Sequence, residues 1–207
     1  LSRPEYLKNL SENHKIIGIT GTHGKTSTTA LLAHIFHFNN VNVSYLYGGI
    51  TTFNGIGGHY GDPDQPLILE TDEAFNTFEK IKISDLLVLN VDSDHLDYFK
   101  NLDNYKDAFH KVMKNVTDNL VINNDDLNIK SMKDLKNPVS YGKDTSADFK
   151  VQSPGNFKFE NNKYEIKSDI IGDHFKSNML GAVILALLNG IEIEDSLNAI
   201  ESFAGVK

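Results

Sequence analysis

The stretch KIIGITGTHGKTST, Lys15–Thr28, decides how the chain is read. Lys15–Thr20 is a short apolar run that stops at a glycine turn, the pattern of a buried parallel strand. The residues after the turn, KTSTTALLAHIFHF, set Ala30, Leu31, Ile35 and Phe38 at helical spacing. Strand, glycine turn, helix is the context that a phosphate-binding loop requires. The spacing is unusual. The general pattern G-x-x-x-x-G-K-S/T needs a glycine at position 19, where this chain has Ile19. Gly18 is one place early and Gly21 two places late, and His23 sits inside the loop.

The chemistry of such a loop assigns roles by residue type. Gly21 and Gly24 let the backbone approach phosphate oxygens, and Lys25 reaches terminal phosphates. The Thr26 hydroxyl is placed to ligate Mg²⁺. Backbone N–H groups from Thr22 through Ser27 and the helix N-terminus add positive potential. The plainer reading is a glycine turn capped by a threonine.

Outward from the loop, strands and helices alternate. Val43–Tyr47, Pro66–Glu70, Asp85–Val91, the run NLVINN and the run PVSYG read as further strands. NLDNYKDAFHKVMKN is an amphipathic helix with Leu102, Tyr105, Phe109, Val112 and Met113 on one face. DDLNIKSMK is a short helix, and Phe175–Leu188 and Glu194–Ser202 are helices near the end, the first capped by Gly190. The segment between Tyr47 and Pro66 is glycine-rich and reads as a long loop or hairpin. From Ala147 to Lys167 the pattern alternates between Pro-Gly and Asn-Asn turns, as in a small antiparallel hairpin region. The expected fold is α/β: a mostly parallel sheet flanked by helices.

Three more stretches lie at or after strand ends, where ligands bind in open α/β sheets. ETDE, starting at Glu70, holds carboxylates suited to a divalent cation, or is a solvated acidic turn in which Thr71 or Asp72 caps a helix. NVDSDHLDYF gathers Asp92, Asp94, His95 and Asp97, either metal ligands or the acidic start of a helix. GDHFKSN brings His174 and Asn178 to a helix start, where they hydrogen-bond a base edge or where Asp173 simply caps. His14, His34, His37, His59 and His110 receive no role.

The bulk numbers bound the answer. The 207 residues are enough for one substantial core. A formal net charge of −8 disfavours a nucleic-acid partner. Cysteine is absent, so no disulfide framework or thiolate zinc site is expected; this is compatible with the cytoplasm, the expected location, without deciding it. No run of about 18 apolar residues occurs, so no membrane span is expected.

Taken in order, these stretches resemble the central ATPase domain of the Mur ligase family, which builds the peptide stem of peptidoglycan. GTHGKT is similar to that family's short loop, G-T-x-G-K-S/T. ETDEA resembles E-A-D-E-S, with Thr71 and Ala74 substituted. NVDSDHLDYF resembles N-x-x-x-D-H-x-D-x-Y/F, and GDHFKSNMLGA resembles G-x-H-N-x-x-N-x-x-A, with Phe175 in place of the first asparagine. LNAIESFAGVK resembles the helix that precedes the family's C-terminal domain. The resemblance spans nearly the whole chain, so residues 1–207 read as one central ATP-binding domain. The family's N-terminal UDP-binding domain and its C-terminal domain fall outside it.

The resemblance implies an ATP-dependent ligase that makes an amide bond through an acyl phosphate. Lys25 then binds the β- and γ-phosphates, Thr26 holds a first Mg²⁺, Glu70 bridges metals and His95 binds a second Mg²⁺. Thr22, His23, Gly24 and Ser27 line the loop, Asn90 lines the cleft, and His174 and Asn178 contact adenine. The histidine in the loop, the short AFNTFEKIKIS segment and Phe109 at a position where other members carry a modified lysine favour the subgroup that adds L-alanine to UDP-N-acetylmuramate. The alternatives are murein peptide ligase and a stand-alone P-loop ATPase or kinase. The latter is disfavoured because Arg3 is the chain's one arginine and leaves no lid arginine. Without the flanking domains, the chain is expected not to ligate by itself.

Overall fold

The computed structural model describes residues 3–49, 55, 57–72, 80–92, 99 and 101–206. The apolar run after Lys15 forms β1 (Ile16–Thr20), buried along its whole length. It pairs in parallel with β4 (Leu67–Glu70) on one side and β5 (Asp85–Val88) on the other. A strand covered on both faces has no solvent side, so its sequence is apolar throughout rather than alternating.

The sheet grows outward from this centre. On one side β2 (Ser44–Leu46) joins β4 in parallel, and β3 (Gly58–His59) closes the edge antiparallel to β2. On the other side β6 (Asn119–Asn123), β7 (Val139–Gly142) and β8 (Phe149–Ser153) continue in parallel. Then β9 (Asn156–Phe159) and β10 (Asn162–Glu165) run antiparallel. The result is one ten-stranded sheet in the order β10-β9-β8-β7-β6-β5-β1-β4-β2-β3.

Side chains that alternate along each strand split the core in two. Ile17, Ile19, Leu87 and Leu89 face a cluster with α2 (Lys25–Phe38), α5 (Asp173–Leu188) and α6 (Ile193–Glu201). Ile16, Leu86 and Val88 face the other cluster, with α1 (Arg3–Asn13), α3 (Leu102–Lys114) and α4 (Leu127–Ser131). Asp85, wholly buried at the foot of β5, accepts from Asn119 N and Asn119 Nδ2 and meets Lys15 Nζ at 2.9 Å. It thereby joins β6 and the entry to β1.

The expected parallel α/β sheet is present, with two refinements. The hairpin region is not separate, because β8 pairs with β7 and carries the sheet onward. Its register is pinned where Phe149 stacks on its cross-strand partner Phe159, with ring centroids 4.1 Å apart. Helix α1 was not evident in the sequence. It carries little apolar signal, since Leu7 is buried and Leu10 packs at the edge of the core.

Candidate functional site

The chain leaves β1 toward β2 on one side and returns to β5 on the other, so the carboxyl end of β1 is a topological switch point. The loop there turns on two glycines. Gly21 has φ of 146°, and a Cβ on it would stand 3.0 Å from Leu89 Cβ. Gly24, the N-cap of α2, has φ of 88° and presents no side-chain cap. Thr22 to Ser27, together with Glu70, line an open hollow of about 290 Å³. The first-turn amides of α2 open onto it, which makes it an anion site by construction. Lys25 lies back over the loop, its Nζ donating to the Gly21 carbonyl at 2.7 Å.

The acidic strand end comes to the same place. Glu70 Oε1 accepts from the Thr26 hydroxyl at 2.8 Å, and Glu70 Oε2 accepts from Gly48 N at 2.7 Å. One carboxylate thus spans the start of α2 and the end of β2.

On the opposite flank, Asn90 clamps the loop. Its Oδ1 accepts from His23 N at 2.8 Å and its Nδ2 donates to His23 O at 2.9 Å, while its carbonyl accepts from Thr22 N. Thr22 reaches on to Asp92, accepting from its N–H at 2.8 Å. Asp126, the side-chain cap of α4, accepts from Val91 N and steadies the same segment.

The helix expected to read a base divides its two residues. His174 lines a cavity of about 190 Å³ with Asp125, Lys143, Gly155 and Lys176. Asn178 lines a second cavity of about 190 Å³ with Ser27, Leu31, Phe175 and Phe203. Asn178 is also the side chain nearest Gly24, within 2.3 Å of where a Cβ would lie. Gly172, not Asp173, is the N-cap of α5. His95, Asp94, Asp97 and Glu73 fall outside the described residues. Among the described residues no three His, Asp or Glu side chains gather into a metal cluster.

The structure therefore brings Gly21, Thr22, His23, Gly24, Lys25, Thr26, Ser27, Glu70 and Asn90 to one hollow and its rim, with Asn178 behind it and His174 one helical turn earlier, lining a different cavity. Sequence reasoning missed Gly48, which offers a backbone donor, and Tyr105. The tyrosine read as one apolar residue of an amphipathic face, and nothing in that spacing signals that its hydroxyl meets Thr22.

Residues 19–186 match the family model described as Mur ligase middle domain. The chain belongs to the Mur ligase family. It is 34% identical to UDP-N-acetylmuramate--L-alanine ligase of Clostridium botulinum (strain Loch Maree / Type A3), over 99% of this chain and 48% of that protein. Among solved structures it is similar to UDP-N-acetylmuramate-alanine ligase MurC from Thermotoga maritima, with a TM-score of 0.82 and 25% identity, covering 98% of this chain and 48% of that one. The murein peptide ligase from Neisseria meningitides superposes with a TM-score of 0.86 at 24% identity, over 100% of this chain and 72% of that one, and shows the shared fold. The chain spans about half the length of the curated relatives it matches. As a Mur ligase middle domain, it places the loop, the acidic strand end and Asn90 around one crevice. No helix among its described residues is long and apolar enough to cross a membrane.

Proposed function

We propose that this chain is the ATP-binding domain of a cytoplasmic, ATP-dependent ligase that joins L-alanine to UDP-N-acetylmuramate in peptidoglycan synthesis. In that reaction the substrate carboxylate attacks the γ-phosphorus of ATP, becoming an acyl phosphate as ADP leaves. The amine nitrogen then attacks the acyl carbon and phosphate leaves. The observation that carries the reading is the phosphate hollow with the Thr26–Glu70 pair at its lip.

That pair fits a cation. Two adjacent ligands of an octahedral Mg²⁺, each at about 2.0–2.1 Å, stand roughly 2.9 Å apart. Thr26 Oγ1 and Glu70 Oε1 are 2.8 Å apart. Thr26 and Glu70 would hold the ion, with His95 as a ligand of a second, and bound Mg²⁺ would supply charge neutralisation for phosphoryl transfer. Lys25 neutralises terminal phosphate oxygens from the far side of the loop. The amides between Thr22 and Ser27 hold those oxygens in line, and Asn90 keeps the loop in its receiving shape. His174 and Asn178 are the base-side contacts, with Phe175 adding an aromatic face. Such a site works by positioning and electrostatics rather than by a protein nucleophile. UDP-N-acetylmuramate and L-alanine are held with the help of flanking domains.

Calorimetry of Mg–ATP against the 207-residue chain and its Lys25→Ala variant tests the reading. Loss of a charged hydrogen-bonding group should weaken binding by roughly 10- to 100-fold. Equal affinity in the two proteins would count against the assignment. In a longer protein that includes the flanking domains, phosphate release should require both UDP-N-acetylmuramate and L-alanine. Release without an amine acceptor would point instead to a stand-alone ATPase.

A further inference from the structure

We infer that Tyr105 is a positioning residue for the phosphate loop, holding it from the core of the domain through the hydroxyl of Thr22. The inference rests on the reading of that loop as a phosphate cradle. Tyr105 is on α3 and wholly buried. Its ring packs edge-on against Phe99, with centroids 5.0 Å apart, and against Phe109 at 5.1 Å. Phenylalanine would fill that space equally well. The phenol oxygen is therefore what needs explaining, and it lies 3.1 Å from Thr22 Oγ1, 83 residues away in sequence.

The hydrogen-bond count at Thr22 assigns the direction. A threonine hydroxyl has one donor and two acceptor positions. One acceptor position takes the Asp92 N–H at 2.8 Å, and the hydroxyl hydrogen goes to the Asp92 carbonyl at 3.3 Å. The remaining acceptor position takes the Tyr105 O–H. All three capacities of Thr22 are then used, at a buried site where an unfilled one is costly.

The consequence is mechanical. Thr22 and His23 are laced to Asn90 and Asp92 by backbone and side-chain hydrogen bonds. Both partners in that lacing are surface segments at strand ends. Tyr105 ties them to a helix that is packed into the core. A loop held in its receiving shape before ligand arrives spares the ordering cost of binding.

The test compares the wild-type 207-residue chain with Tyr105→Phe, Thr22→Val, the double variant and Lys25→Ala. Affinities for Mg–ATP and for inorganic tripolyphosphate are measured by calorimetry, and amide hydrogen exchange is followed at residues 22–24 and in β1. Tyr105→Phe should bind both ligands roughly 2- to 12-fold more weakly, the range of one neutral hydrogen bond. Exchange should quicken at residues 22–24 and stay unchanged in β1. In the Thr22→Val background the Tyr105 change should add nothing. If Tyr105→Phe binds as wild type while Lys25→Ala binds weakly, the inference falls and the phosphate reading stands. If neither variant differs from wild type, or wild type binds neither ligand, both fall. Additive losses, or a Tyr105→Phe protein that fails to fold, would make the hydroxyl a core group acting elsewhere and overturn the inference.

Discussion

Gly24→Ala is the sharpest probe of the loop, because the structure separates its cost into two parts. The backbone there has φ of 88° and ψ of 0°, a left-handed conformation that costs a residue with a Cβ about 1–2 kcal/mol. The new Cβ would also stand 2.3 Å from Asn178 Nδ2, against an ordinary contact of at least 3.4 Å. The amide must therefore retreat by roughly 1 Å; Asn178 is 9% exposed, and the space open to it is the cavity of about 190 Å³ that it lines with Phe175 and Phe203. Overpacking of this kind costs about 1–3 kcal/mol. The sum is about 2–5 kcal/mol, and for a chain of this size each kcal/mol lowers the melting temperature by about 2–4 °C. Differential scanning calorimetry on four proteins tests the division: wild type, Gly24→Ala, Asn178→Ala and the double variant. With Asn178 truncated the clash is gone, and Gly24→Ala should cost only its backbone part, about 1–2 kcal/mol. An equal drop in melting temperature in both backgrounds would refute the contact as the cause.

Further predictions concern charge and pH. Glu70→Gln keeps the size of the side chain but removes its charge, so the Mg²⁺ concentration needed for ATP binding should rise by about tenfold or more, as titration calorimetry at stepped Mg²⁺ would show. Asp85→Ala strands the Asn119 amides and Lys15, and should lower unfolding stability by about 2–3 kcal/mol in urea titrations while leaving nucleotide affinity alone. His34 is held below its usual pKa of 6.5, chiefly by burial; its hydrogen bond to the Ala199 carbonyl opposes the shift and the His37 charge adds to it. The unfolded chain therefore takes up the proton first as pH falls, so His34 contributes stability above about pH 6.5 that is lost below it. Melting temperature should decline from pH 7 to pH 5, and His34→Gln should flatten part of that decline.

Much of the fold was legible because local rules and burial agree. The run KTSTTALLAHIFHF is helical from end to end, and each apolar run set between turns became a strand. Helix α1 was not legible, and the short edge strand β3 was legible only as part of a long loop or hairpin between Tyr47 and Pro66. Each is held by packing or by one neighbour, not by its own periodicity. At the site, Lys25, Thr26 and Glu70 could be named because strand ends in a parallel sheet converge on one edge, and Asn90 because its stretch resembles a motif of the family. The two cavities that separate His174 from Asn178 could not be foreseen. They depend on how α5 sits over β8 and β9 on one flank and against α2 and Phe203 on the other.

The sequence by itself determined that a strand, a short glycine loop and a helix would form the turn proposed here as a phosphate cradle, because backbone conformation and residue type suffice for that turn. Only the tertiary structure decided which distant groups hold the cradle. Glu70 meets Thr26 from 44 residues away, Asn90 clamps His23 from 67, and Tyr105 reaches Thr22 from 83. A hydrogen bond depends on positions within a few tenths of an ångström. Such positions arise only when the sheet and its helices have packed.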